Sequence, residues 1–342
     1  MEPLLARTEA AGYNAADWNQ MFDLIIAYKE SNVPAAPVHR VHFLKRDWIR
    51  YAAAAVILFV IAGTYFLLQP KKQELLSQAR RFKNDVAPAR TGAILTIEGG
   101  KTILLDTAVN GTILGHFVKE DSGLTVESAK AQYAILYTPA AHTEMLRLKD
   151  GTIVYLNASS SIRFPTIFNG KERLVEITGE VYFEVVHNAA MPFRVKLPDG
   201  SIVEDVGTAF NINAYNDEAG VTTTVAEGIV NVIHQAQRLT LNAGQQAKEE
   251  GNGKLLLNNH PNMEETMAWK NGMFSYTGAD IKTIMRHVSR WYGVEVVYED
   301  VTDEEFVADL PRDVPVSKLL NALEGTGKVH FTIDGKKIIV SK

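Results

Sequence analysis

The sequence predicts a mainly β protein with a small α+β domain at its C-terminal end and one apolar helix near its N-terminus. Three observations carry this: an uncharged run at Tyr51–Leu68, period-two alternation with Asp-Gly turns beyond residue 90, and a return to helical spacing after Gly253. The chain has 342 residues, 46% hydrophobic and 22% charged, which excludes global disorder and allows several domains. Its net charge of −5 argues against a generally basic nucleic-acid binder, and no direct nucleic-acid partner is expected. The complete absence of cysteine removes disulfides, thiolate metal sites and cysteine nucleophiles.

The run Tyr51–Leu68 reads YAAAAVILFVIAGTYFLL. As a helix it rises about 27 Å, close to the hydrocarbon thickness of about 30 Å. Trp48 and Ile49 can extend it, and Trp48, Tyr51 and Tyr65 suit the interfacial belts. It lies too far from Met1 to be a signal-peptide core. A single transmembrane helix over 47–69 is the expectation. Arg40, Lys45, Arg46 and Arg50 precede it and Lys71, Lys72, Arg80, Arg81 and Lys83 follow, so flanking charge leaves the orientation open.

Before the span, Asn14 can cap a helix with Asp17 in its first turn. Trp18, Met21, Phe22 and Ile25 then fall at i, i+3, i+4 and i+7, one apolar stripe on a short helix ending before Pro34. A tail of this size offers such a stripe little to pack against, so a partner protein or the lipid surface is expected to cover it.

After a charged, Pro-containing linker (70–90), residues 91–257 read as all-β. Leu146 and Leu148 alternate with Arg147 and Lys149, and Phe193, Val195 and Leu197 with Arg194 and Lys196. Gly99-Gly100, Asp150-Gly151, Asn169-Gly170, Asp199-Gly200 and Glu227-Gly228 punctuate the runs, and Asp-Gly between β-rich segments is a strong hairpin signal. Pattern alone does not separate a solenoid from a sandwich. In 258–342, Met273–Tyr276 is strand-like. Asp280 can cap a helix with Ile281, Ile284, Met285, Val288, Trp291 and Tyr292 on one face, stopped by Gly293. Strands at Val294–Tyr298 and Phe306–Ala308 follow, then a helix carrying Val316, Leu319, Leu320 and Leu323 between Pro315 and Gly325, then a hairpin around Asp334-Gly335. This β-α-β-β-α-β-β order describes a sheet with helices on one face.

The search for chemistry finds little. Nine histidines are present, none in H-E-x-x-H, and neither a P-loop nor a G-x-S-x-G elbow occurs. Glu180 and Glu184 share a strand face opposite Val181, Phe183 and Val185, which reads as a solvent face over a core face. No catalytic residue, metal site or cofactor is assigned, and the chain is not expected to be an enzyme.

The segment Leu148-Lys149-Asp150-Gly151-Thr152-Ile153-Val154-Tyr155-Leu156-Asn157-Ala158-Ser159-Ser160-Ser161 strongly resembles the periplasmic domain of FecR-type anti-sigma factors. So do Gly179-Glu180-Val181-Tyr182-Phe183-Glu184-Val185, Pro192-Phe193-Arg194-Val195, Val206-Gly207-Thr208-Ala209-Phe210-Asn211-Ile212, Glu227-Gly228-Ile229-Val230 and Ala243-Gly244-Gln245-Gln246-Ala247, in order. Trp269-Lys270-Asn271-Gly272-Met273-Phe274 and Arg290-Trp291-Tyr292-Gly293-Val294 resemble the C-terminal domain of Bacteroidetes members. The resemblance implies an inner-membrane, single-pass protein with its N-terminus in the cytoplasm and C-terminal domains in the periplasm. It implies a cytoplasmic segment (1–46) that holds an extracytoplasmic-function (ECF) sigma factor, placing Trp18, Met21, Phe22 and Ile25 at the contact. It further implies a periplasmic part that senses the signalling domain of a TonB-dependent outer-membrane receptor. The expected fold is a β-solenoid-like lobe and a lobe like the short N-terminal domain of secretins and TonB receptors. Gly151, Gly179 and Gly207 are expected in tight or positive-φ turns, and Phe183, Phe193 and Phe210 in the core. Family members carry a longer cytoplasmic domain, so here that module is expected to be reduced or its start truncated. The alternative function is a membrane-anchored carbohydrate-binding or hydrolytic β-protein, which would need aromatic platforms such as Trp269 or Trp291 in a concave site.

Overall fold

A computed structural model describes residues 23, 82, 84–205, 207–250, 253–300 and 303–342. Among these, no helix is long and apolar enough to cross a membrane. The apolar run Tyr51–Leu68 and the stripe Trp18, Met21, Phe22 and Ile25 lie outside the described residues.

From Arg90 to Asn258 every regular element is a strand. The chain moves hairpin by hairpin between two layers. Phe193–Lys196 pairs antiparallel with Ile202–Asp205 in the first layer, and Ala209–Ala214 with Thr222–Glu227 in the second. Ile229–His234 and Gln237–Asn242 return to the first, where Ile229–His234 joins Ile202–Asp205; Gln246–Glu249 and Leu255–Asn258 return to the second beside Thr222–Glu227. Solenoid and sandwich are thus combined: a winding chain builds two layers around one core. Side chains alternate across each strand, and Leu136, Ile162, Phe164, Val175, Val154, Phe183, Phe193 and Phe210 from the two layers form a single buried cluster. Phe183 and Phe210 stack at 5.1 Å within it, as expected of core aromatics.

The Asp-Gly turns at 150 and 199 share one chemistry. The Asp150 carboxylate accepts from the Thr152 N–H and hydroxyl, and Asp199 does the same for Ser201. Gly151, Gly179 and Gly207 have φ of 89°, 79° and 99°, the left-handed region their sequence contexts anticipate.

The C-terminal lobe keeps the expected element order and adds a short helix, α1 (Met263–Met267), capped by Asn262. Five residues are too few to leave a periodic signal. Helix α2 (Ile281–Tyr292) starts where Asp280 accepts from the Thr283 N–H at 2.6 Å and stops at Gly293, φ 64°. It buries Ile281, Ile284, Met285, Val288 and Tyr292. Helix α3 (Val316–Glu324) buries Val316, Leu319, Leu320 and Leu323. The expected single sheet is instead two. Met273–Asp280 pairs with Glu305–Pro311, while Glu295–Tyr298, Lys337–Ser341 and His330–Asp334 form the other. The first pair is bulged at Gly278 (φ 88°), which bends and twists it. Helices α2 and α3 each touch strands of both sheets, so one apolar cluster still closes the lobe.

Candidate functional site

The long strand Arg173–Glu184 builds the site. Up to Thr178 it pairs in the first layer; from Gly179 it pairs in the second, against Ile153–Leu156 and Ala209–Ala214. A Cβ on Gly179 would lie 2.4 Å from Ser160 Oγ and 2.7 Å from the Ser159 carbonyl, so only glycine permits this crossing. Beyond it both strand faces are covered. Val181 and Phe183 enter the β core, while Glu180 and Glu184 meet the C-terminal lobe.

Glu180 is therefore not on a solvent face: it is 9% exposed. Its carboxylate accepts from the side-chain amides of Asn157 (2.8 Å), Asn211 (3.1 Å) and Asn213 (3.4 Å). Two of these amides carry the network across the seam. Asn157 Oδ1 accepts from Arg312 Nη1 at 3.2 Å, and Asn211 Oδ1 from Trp269 Nε1 at 3.0 Å. Arg312 is 6% exposed, with its guanidinium 4.5 Å from the Phe274 ring and 4.6 Å from that of Trp291. Burial pulls its pKa down, yet an arginine stays charged.

A second contact is ionic. Asp217 and Glu218 follow the strand Ala209–Ala214 and face α2. Arg290 donates to Asp217 at 2.8 and 2.9 Å and to Glu218 at 2.5 Å; Arg286 donates to Glu218 at 2.7 Å. Burial pushes the Glu218 carboxyl up, but bonds from His287, Arg286 and Arg290 outweigh it and hold the group well below the usual carboxylate range. Arg290 also lies 4.0 Å from the Tyr215 ring, and burial raises the Tyr215 phenol, whose hydroxyl donates to the Ala158 carbonyl at 2.6 Å. At the far end Lys270 pairs with Glu184 at 3.0 Å over the rings of Tyr155 and Tyr182.

Between these contacts lies a cavity of about 300 Å³ lined by Asn157, Glu180, Trp269, Tyr276, His287 and Arg312. Trp269 and Trp291 also border a second, of about 280 Å³. The Trp269 N–H is spent on Asn211, and Trp291 packs against Arg312 and Phe274 while donating to the Arg312 carbonyl. Both tryptophans therefore serve packing. Glu180 and Glu184 do not form an acid–base pair, since one sits in an amide cradle and the other on Lys270. Ser201, His234 and Asp199 also meet, but Ser201 Oγ (2.7 Å) and Asp199 Oδ2 (3.7 Å) both approach His234 Nδ1. A catalytic relay needs the acid and the hydroxyl on opposite ring nitrogens. This cluster is turn chemistry. The seam is built to hold two lobes together through polar groups.

None of the residues that carry the seam was singled out from sequence as a contact. Strand alternation tells which face a side chain takes, and not what covers that face. A signal was present in the amides: Asn211 and Asn213 lie within a strand, where asparagine is unfavourable unless it has partners.

Comparison with known proteins supplies the context. No curated protein matches the chain. The family model described as FecR protein matches residues 134–231, and that described as FecR, C-terminal, matches residues 273–340. A crystal structure of a "putative anti-sigma factor" from Parabacteroides distasonis at 2.50 Å superposes with a TM-score of 0.57 at 25% identity, covering 61% of this chain and 99% of that one. Another, at 1.65 Å, gives 0.56 at 26% identity, covering 61% and 98%. The two matches fall in the order of the two lobes, a FecR protein match within the β lobe and a FecR C-terminal match within the C-terminal lobe.

Proposed function

We propose that this chain is an anti-sigma factor that spans the inner membrane once and relays a periplasmic signal to an ECF sigma factor. The observation that carries the reading is the pair of FecR domains in one chain, together with likeness over most of the length of two solved structures named as anti-sigma factors. In this reading 1–46 is the cytoplasmic segment, 47–69 the span, 70–90 the linker, 91–257 the FecR lobe and 258–342 the C-terminal α+β lobe, and the periplasmic part meets the signalling domain of a TonB-dependent receptor. The stripe Trp18, Met21, Phe22 and Ile25 meets the sigma factor, because a helix-in-groove contact uses anchors at i, i+3, i+4 and i+7. Four such side chains supply several kcal/mol, at about 1.5–3 kcal/mol each before association costs.

The direct test is co-purification with an ECF sigma factor encoded beside it. Replacing Trp18 and Phe22 by Ala should weaken capture while membrane insertion is kept, and Gln20→Ala should leave capture unchanged. Equal capture by the double variant and the parent would remove the stripe from the interface. A reporter active only in the periplasm, fused after Lys342, checks the topology.

A further inference from the structure

Helix α3 begins without a cap of its own. Its N-cap residue is Pro315, whose side chain makes no capping hydrogen bond, although the first N–H groups of any helix need acceptors. Here they are met from a segment more than two hundred residues earlier. The Val316 N–H donates to the Val86 carbonyl at 3.0 Å. The Ser317 N–H donates to Asp85 Oδ1 at 3.0 Å, and the Ser317 hydroxyl to Asp85 Oδ2 at 2.6 Å. A carboxylate at this end also meets the positive pole of the helix. Phe82 and Val86 pack against the apolar cluster of the C-terminal lobe. The linker ahead of the β lobe thus completes the other lobe: it contributes a cap, a backbone acceptor and two apolar side chains.

We propose that this segment is a clasp through which the C-terminal lobe controls the chain that precedes residue 82. When the lobe is undisturbed, the α3 N-terminus holds Asp85 and Val86. When a protein partner distorts α3 or its neighbours, the clasp opens and the linker is freed. The contact itself stands on geometry; its role in signalling rests on the anti-sigma reading above. It also fits that reading, since a linker released from a folded lobe changes state without requiring a rigid push along a single helix.

The experiment uses the full chain in membranes. Hydrogen exchange followed by mass spectrometry compares the parent with Asp85→Ala, Ser317→Ala and the double variant. Losing a cap of this kind accelerates exchange by about fivefold, so peptides covering 84–90 and the first turn of α3 should exchange about fivefold faster in Asp85→Ala. Strand Ile153–Leu156 should not change. Asp85→Asn, which keeps an acceptor, should fall between parent and Asp85→Ala. Because both residues serve one contact, the double variant should exchange no faster than Asp85→Ala alone. Unchanged exchange at α3, or additive effects in the double variant, would overturn the clasp. Sigma-dependent transcription is measured in the same strains, where Asp85→Ala should shift basal output about fivefold from the parent, in proportion to the population released. Faster exchange with unchanged output would overturn the relay. A parent whose deletion alters no sigma-dependent transcription would instead overturn the functional reading, with the exchange result deciding the contact separately.

Discussion

The two lobes answer their buried arginines differently, and the contrast shows where this protein is open to influence. In the β lobe, Arg173 is 2% exposed and answered from within: Asp150 at 2.6 Å, the Val186 carbonyl at 2.8 Å and the Met191 carbonyl at 2.8 Å. In the C-terminal lobe, Arg312 reaches out of its own lobe to Asn157. The apolar cores differ in the same way. The β cluster runs from Ala93 to Ala247 and draws on its own strands, whereas the other recruits Phe82 and Val86 from the linker. The apolar core of one lobe is self-contained; that of the other is finished by the linker. A disturbance of seam or linker should therefore register first in the C-terminal lobe.

The largest expected effect is on the self-contained side. Arg173→Ala leaves Asp150 and two carbonyls facing a cavity, and should destabilise the β lobe by about 3–5 kcal/mol, the usual result of breaking a buried pair. Denaturant melts read by β-sheet dichroism check this. Arg312→Ala removes the cross-seam bond and the packing on Phe274 and Trp291, for about 2–3 kcal/mol. It should lower the C-terminal transition while sparing the β lobe. Equal shifts in both lobes would erase the contrast. Smaller still is Glu218→Gln, worth about 1.5–2 kcal/mol through weakened bonds to Arg286 and Arg290.

Glu218 also sets a pH dependence. Its folded-state pKa lies below the ordinary value of 4.5. The unfolded chain therefore binds the proton first as pH falls, and the stabilisation present above about 4.5 is lost progressively below it. Acid melts of the parent should show this loss and those of Glu218→Gln a weaker one. An identical acid profile would mean that the ionic corner contributes nothing to holding α2 in place.

Much of the architecture was legible in the chain because its signals are local. Asp150-Gly151 and Asp199-Gly200 announce hairpins, and Asp280 with Gly293 brackets α2, since turn and cap chemistry acts over two to four residues. The layer change at Gly179 was half legible: a special φ was expected, but not that the strand would cross layers there. The face carrying Glu180 was read as a solvent face, and it is not one. Glu180 alternates as an outward residue, but it sits in the cradle of Asn157, Asn211 and Asn213, in a cavity closed by residues of the C-terminal lobe that are remote in sequence. The clasp joins Asp85 to Ser317 across a separation that no periodicity spans. Local chemistry is written locally; contacts between lobes are decided by which finished surfaces meet.

The measurement that most directly tests this dependence is the unfolding of residues 258–342 alone, set against the same lobe within residues 82–342. The isolated lobe keeps both helix stripes and should still unfold cooperatively. Without the Asp85 cap, the Phe82 and Val86 contacts and the seam, it should be less stable by about 2–4 kcal/mol. A lobe equally stable in both settings would contradict the account, because its core would then be complete without the linker and the β lobe.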